Sequence, residues 1–355
     1  MIYNQVKQIS KTHLLPQIVE LYGLNGYAIK PIDGHEGGRN VVYVCESESG
    51  SAKIIRIAFL NDRSREDFLA ETEYVRYLHE HGGSVSNVVD LLNGNMVEEV
   101  IHDNHTYFVC VFEKAKGKQL AENGYQYREG VPISEYYYNC GKTLGKLHQL
   151  SKEYTPVHKR NSFFDIFNSE YIDKLIPDSL SALKEKLYKL LGDLDGLSKD
   201  SDSYGMIHFD YSDGNYNIDF ETGQITVYDF DNACFGWYLY DLANLWTHGV
   251  GWIQHEPDAE KRKAFMDDYF ATIIEGYRSE TDITDSTLSQ LPLLIQAVIM
   301  ENIVDEFEVA RNSNEEVEYD DEELLYLIKC LTDDIPYKGF FSEIYSCESP
   351  FEYEA

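Results

Sequence analysis

The sequence predicts an α+β fold in two lobes. A small antiparallel β-rich lobe with one helix would span residues 1–116, and a larger, mainly helical lobe containing a β-hairpin would span 117–355. Three observations predict it. β-rich runs alternate with short polar turns over 27–60 and again over 95–115. Beyond Gly117, apolar side chains recur mostly at helical spacing. Charge is divided as unevenly: residues 1–116 carry 11 Lys+Arg and 16 Asp+Glu, a net of −5, against 19 and 46, a net of −27, for residues 117–355. Such asymmetry marks two parts with different work.

The elements follow in order. YAIKPI, VVYVCES and KIIRIAF, separated by DGHEGGRN and ESGS, read as three antiparallel strands over 27–60. Ser64 opens a helix with Asp67 as its capping-box carboxylate, and Phe68, Thr72, Val75 and Leu78 continue it to Gly82-Gly83. NMVEEVIHD and HTYFVCVFEKA return to strand character, giving five strands. A helix from Ser134 carries Tyr137, Cys140, Leu144 and Leu147 on its apolar face, so only two of Tyr136, Tyr137 and Tyr138 can share the buried side. Leu180, Leu183, Leu187, Leu190 and Leu191 mark the next helix. A β-rich interlude at 206–230 precedes helices over 240–335, where residues 305–323 form the strongest acidic run.

Composition excludes several functions. The 355 residues hold 62 Asp+Glu against 30 Lys+Arg, a net of −32, with no basic tract for nucleic-acid phosphates or an anionic membrane. Hydrophobic residues make up 43% and aromatics 14%, too many for a disordered polyanion. No uncharged apolar run is long enough to span a bilayer, and MIYNQVKQISKTHLLPQ lacks the apolar core of a signal peptide. The six cysteines form no CxxC pair and read as reduced thiols of a cytoplasmic protein.

The chemistry is concentrated in MIHFDYSDGNYNIDFETGQITVYDFDNACFGWYLYDLA, residues 206–243. YNIDF and ITVYDF face each other as a hairpin around Glu221-Thr222-Gly223-Gln224, with Asn215 at its entrance and Asp229 near its exit. Asn215 and Asp229 supply two hard oxygen ligands of the kind Mg²⁺ takes. Asp210, in the polar loop before the hairpin, can orient or deprotonate a hydroxyl. One base and two metal oxygens meet the needs of phosphoryl transfer to an alcohol.

HFDYSDGN at 208–215, VYDFD at 227–231 and YDLA at 240–243 together resemble the aminoglycoside phosphotransferase and choline kinase type of small-molecule kinase, whose members share the protein-kinase-like fold. By that resemblance Asp210 matches the catalytic aspartate, Asn215 the metal-binding asparagine, Asp229 the metal-binding aspartate and Asp241 the helix aspartate that braces the catalytic loop. His208 is expected to be a packed structural histidine. Phe209 stands where the family has a small residue, so it reshapes the loop or lines the cleft. Asp213 adds a carboxylate beside the base, and Asp231 is either a further metal ligand through water or a structural carboxylate.

The resemblance extends to the first lobe. Gly37 and Gly38, in GHEGGRNVVYV, fall where a glycine-containing hairpin covers the nucleotide phosphates, without the pattern of a Walker A loop. Arg56 matches the phosphate-pairing basic residue and Glu71 its helix partner. Lys53 is the alternative, since strand alternation puts it on the opposite face. Phe112-Glu113-Lys114-Ala115 matches the hinge, where backbone groups would hold adenine. The resemblance thus implies ATP and Mg²⁺ as cofactors and a phosphotransferase of the EC 2.7.1 type. The acidic second lobe favours a cationic small-molecule acceptor, an aminoglycoside-like or choline-like alcohol, over a neutral sugar. Phe209 and the absent lysine motivate the alternative of a catalytically silent kinase-like nucleotide- or ligand-binding module.

Overall fold

The β-branched and aromatic runs after Tyr27 form a sheet in the computed structural model, which describes residues 3–32, 38–60, 62–313 and 321–338. The chain divides into two units. The first comprises Met1–Lys116, Tyr154–Arg160 and Thr226–Asp231, and the second Gly117–Glu153, Asn161–Ile225 and Asn232–Ala355.

In the first unit, β1 (Ala28–Pro31), β2 (Asn40–Glu46), β3 (Ala52–Ala58), β4 (Val88–Val89), β5 (Val97–His102) and β6 (His105–Glu113) make an antiparallel sheet. Its order is β1-β2-β3-β6-β4, with β5 also paired to β6. Both faces are covered, so β3 is buried from Ile55 to Ala58. On one face Val41, Tyr43, Ile55, Ile57, Val109 and Val111 bury against Tyr3, Val6, Leu14 and Ile18. On the other, Ala58, Val97 and Cys110 meet Phe68. Strand alternation therefore sends Arg56, which pairs with Val42 and Cys110, to the Phe68 face.

The single-helix expectation for this part of the chain is corrected. Helices α1 (Tyr3–Ile9) and α2 (Leu15–Leu21) flank a π-helical turn, Ser10–Leu14, and α3 (Arg65–Glu80) is the third. The first two escape a periodicity reading for a physical reason. Their buried positions after Val6 are Ser10, Leu14 and Ile18, successive steps of four that a wide turn accommodates. One of these is polar: Ser10 lies 2.5 Å from the Tyr43 hydroxyl. The α3 start is as expected, with Ser64 and Asp67 forming a capping box.

The second unit contains α4 (Ile133–Ser151), α5 (Phe163–Ile166), α6 (Ser169–Leu175), α7 (Ser181–Asp195), α8 (Tyr238–Ile253), α9 (Ala259–Arg278), α10 (Asp285–Leu288), α11 (Leu291–Ser313) and α12 (Glu322–Thr332). Helices α4 and α9 approach to backbone contact. A Cβ added at Gly141 would overlap the Ile273 carbonyl, and one at Gly276 the Tyr138 carbonyl. On α4, Tyr136 and Tyr137 are buried and Tyr138 is half-buried, the expected two of three. Strand β7 (Tyr204–Ile207) pairs antiparallel with β10 (Cys234–Trp237), Ile207 opposite Cys234. Between them lie β8 (Tyr216–Ile218) and β9 (Ile225–Val227), joined by a turn in which the Asp219 N–H donates to the Gln224 carbonyl at 2.9 Å. The acidic run ends α11, leaves the described residues over 314–320, and resumes where Asp321 caps α12 by accepting from the Leu324 N–H at 2.8 Å. Among the described residues, no helix is long and apolar enough to cross a membrane.

Candidate active site

The site residues named from the sequence fall into two groups, one in each unit. In the second unit the chain leaves β7 at His208, and a carboxylate from the first turn of α8 fixes the corner. Asp241 is fully buried and accepts the backbone N–H groups of His208 and Phe209, each at 2.8 Å. His148 Nε2 lies 3.1 Å from the same carboxylate, and its Nδ1 lies 2.9 Å from the Tyr277 hydroxyl. Burial lowers the His148 pKa, outweighing the upward pull of Asp241, so the ring is neutral. Nε2–H then donates to Asp241 and Nδ1 accepts from Tyr277. Asn244 donates to the Phe209 carbonyl at 2.7 Å. The corner is held on both sides.

Phe209 adopts the left-handed conformation, φ +73°, that glycine would take without strain. Such strain costs on the order of 1–3 kcal/mol. Its buried ring offsets the cost by stacking on Tyr240 at 4.7 Å and Phe167 at 5.8 Å. Phe209 thus reshapes the loop by packing into the core of its own unit.

Asp210 follows with its side chain exposed. The Asn215 amide nitrogen donates to its carboxylate and to its carbonyl, both at 2.8 Å. With that nitrogen committed, the amide oxygen is the atom Asn215 can offer a hard cation. Buried tyrosines anchor the loop near both ends. The Tyr211 hydroxyl donates to the Cys140 carbonyl at 3.1 Å, and the Tyr216 hydroxyl lies 2.7 Å from that of Tyr136. Asp213, between them, lies 3.7 Å from His248 Nδ1.

One residue of this group was not singled out from the sequence. Glu301, half-buried on α11, has its pKa pushed up to about 8, first by burial and then by the negative charges of Asp305 and Asp210. Its only sequence signal is one acid within the apolar run LLIQAVIMENIV. The folded protein keeps this proton up to about pH 8, whereas the unfolded chain loses it near 4.5. Glu301 therefore makes stability fall as pH rises through that window. Glu301→Gln should remove this loss, so its Tm advantage over wild type grows from pH 5 to pH 8 and then levels off. An advantage constant across that range would contradict the assignment.

In the first unit, Arg56 donates to Glu71 at 2.6 Å and to Asp229 at 3.4 Å, with its guanidinium 5.1 Å from the Phe112 ring centre. Both Arg56 and Glu71 are buried. Lys53 meets neither acid and instead pairs with Glu113 at 2.8 Å. Asp229 lies beyond the end of β9, where Val227 exchanges backbone hydrogen bonds with Ser84 and Ser86, and it takes φ +63°. In the stretch Phe112–Ala115, the Glu113 N–H donates to the Asn87 carbonyl and the Lys114 N–H to the Ala52 carbonyl, which commits two amides within the protein. Ala115 is buried. Gly38 lies among the described residues, just before β2, and Gly37 lies outside them. A buried guanidinium, fixed by one acid and reaching a second, more exposed one, suits an anion held beside a cation.

The arrangement has clear relatives. The model of a family described as the phosphotransferase enzyme family matches residues 29–279. An amicoumacin kinase of Bacillus subtilis (strain 168) is 27% identical over 296 residues, which cover 82% of this chain and 83% of that protein. Among solved structures, an amicoumacin kinase in complex with AMP-PNP, Ca²⁺ and Ami aligns with TM-score 0.80 at 22% identity, covering 98% of this chain and 100% of that one. A microcompartment-associated aminopropanol kinase aligns with TM-score 0.66 at 20% identity, covering 90% and 98%. The two structural likenesses show a kinase-like fold.

Proposed function

The chain belongs to the phosphotransferase enzyme family, and from that premise we propose that it is an ATP- and Mg²⁺-dependent kinase of a small, amine-bearing alcohol. The observation that carries this reading is the Asp210–Asn215 bond at the corner braced by Asp241. It leaves one carboxylate exposed and commits the Asn215 amide nitrogen, so that the amide oxygen is the atom Asn215 can offer a cation. Asp210 would align the acceptor hydroxyl and take its proton as the phosphoryl group transfers. Asn215 and Asp229 would hold Mg²⁺, which supplies charge neutralisation at the phosphates when bound. Arg56, fixed by Glu71, would hold the nonreacting phosphates.

An amine on the acceptor is supported by charge. Residues 117–355 carry a net of −27, and Asp210 and Asp213 are carboxylates of the same loop. The aminopropanol kinase is named for an amine-bearing alcohol. The buried, reduced thiols at Cys45, Cys110, Cys140, Cys234 and Cys330 suit a reducing cytoplasm.

Thermal melting tests the nucleotide half of the proposal. Millimolar Mg-ATP should raise the Tm of the wild type, and Asp229→Ala should abolish the shift. No shift in the wild type at any millimolar concentration would sink the reading.

A further inference from the structure

A second carboxylate of the first unit takes no part in the chemistry proposed above. Asp231 lies two residues past Asp229, with a side chain only 11% exposed. Its Oδ2 lies 3.0 Å from the Arg63 guanidinium and accepts from Asn40 Nδ2 at 3.4 Å. Its carbonyl accepts from Arg160, which also donates to the Asp67 carbonyl at 2.8 Å. Arg39, beside Asn40, pairs with Asp62 at 3.1 Å. Burial alone would raise the Asp231 pKa, but Arg63 foremost, then Arg56, Arg39 and Arg160, hold it below the ordinary value. Arg63 and Asn40 thus meet its carboxylate, and Arg160 its carbonyl.

This arrangement costs energy that an apolar side chain would not. Moving a charge out of water costs several kcal/mol, on the order of what a well-placed ion pair returns. The neighbouring position shows the cheaper solution, since Phe230 is buried edge-on against Tyr74 at 5.9 Å. What Asp231 provides instead is direction. It joins the first residue of β2 (Asn40) and the turn before α3 (Arg63) to the segment that carries Asp229. Asp229 needs such a hold, because it lies past the end of β9 in a left-handed conformation outside any ladder. Phe230 fixes it on one side by packing, and Asp231 fixes the chain just beyond by ion pairing.

We propose that Asp231 is a positioning residue of the nucleotide site, clamping Arg63 and the start of β2 to the Asp229 segment so that Asp229 and Arg56 keep their places for the metal and the phosphates. The inference rests on the nucleotide reading given above. It gives Asp231 a role other than metal ligand, since its Oδ2 is engaged by Arg63 and Asn40. Arginine suits the clamp because its planar fork fixes an orientation that an ammonium would not.

Isothermal calorimetry with Mg²⁺ and the nonhydrolysable analogue AMP-PNP, paired with melting of the unliganded protein, tests it. Asp231→Asn and Arg63→Gln should each weaken AMP-PNP binding about tenfold or more. The double variant should bind no worse than the weaker single, because both remove one interaction. Arg63→Lys, which keeps the charge, should recover part of the loss. A fall in Tm with an unchanged Kd in the folded variants would make Asp231 a stabilising residue only and overturn the proposal. Equal additive losses in the double variant would do the same. Failure of the wild type to bind Mg-AMP-PNP would overturn the nucleotide reading and this inference with it, whereas tight wild-type binding with an indifferent Asp231→Asn overturns the inference alone.

Discussion

Asp210→Asn is expected to lower turnover by about 10²–10⁴-fold, the usual contribution of a positioned general base, while Mg-ATP affinity stays within about twofold. The geometry makes the substitution clean. An asparagine at 210 keeps an oxygen to accept from Asn215, now at 2.8 Å, so the loop retains its internal bond. Only the negative charge and the proton-accepting capacity are lost. Steady-state kinetics beside nucleotide titration separates the two effects. Loss of nucleotide binding in parallel with turnover would show that Asp210 serves the nucleotide rather than the acceptor.

Asp241→Ala should be the most damaging substitution for stability. It leaves the His208 and Phe209 N–H groups without their acceptor in a fully buried setting, and deprives neutral His148 of its Nε2 partner. Each stranded donor costs about 1–3 kcal/mol, so a loss of roughly 3–5 kcal/mol follows once partial relaxation is allowed. Phe209 makes the site less forgiving, because its left-handed backbone depends on both the Asp241 and Asn244 bonds. Asp241→Asn should lose less, since its amide oxygen can still accept from one of the two N–H groups. Thermal melting checks the order: wild type above Asp241→Asn above Asp241→Ala. A Tm for Asp241→Ala within a degree of wild type would remove the brace from the account.

What the sequence could show was local chemistry in a fixed order. Asp210, Asn215 and Asp229 lie within one short stretch, and their residue types are constrained by the reaction they suit. Strand parity showed that only one of Arg56 and Lys53 could share the face of Glu71, and the folded chain puts Arg56 there. Interactions that join distant segments stayed hidden. Nothing in the surroundings of Arg63, Arg160 or Asn40 announces Asp231, which they meet only through folding. Glu301 was equally silent, since the burial that chiefly raises its pKa, and the Asp210 charge that adds to that of Asp305, arise only on folding. The bonding of Phe112–Ala115 was equally hidden, because the Asn87 carbonyl that accepts the Glu113 N–H lies in another part of the chain. Helices α1 and α2 were masked by Ser10, a polar residue on their buried face.

The central claim is phosphoryl transfer from ATP to the hydroxyl of an amine-bearing small molecule. Its most direct test is transfer of the γ-labelled phosphoryl group of Mg-ATP by the full-length protein. The acceptor panel should hold amino alcohols such as 1-aminopropan-2-ol and choline, aminoglycosides, amicoumacin, and neutral sugars as controls. Label should appear on at least one amine-bearing acceptor, exceed that on every neutral sugar, and disappear with Asp210→Asn. Binding of Mg-ATP with no label on any panel member would contradict the account and identify the chain as a catalytically silent nucleotide-binding module.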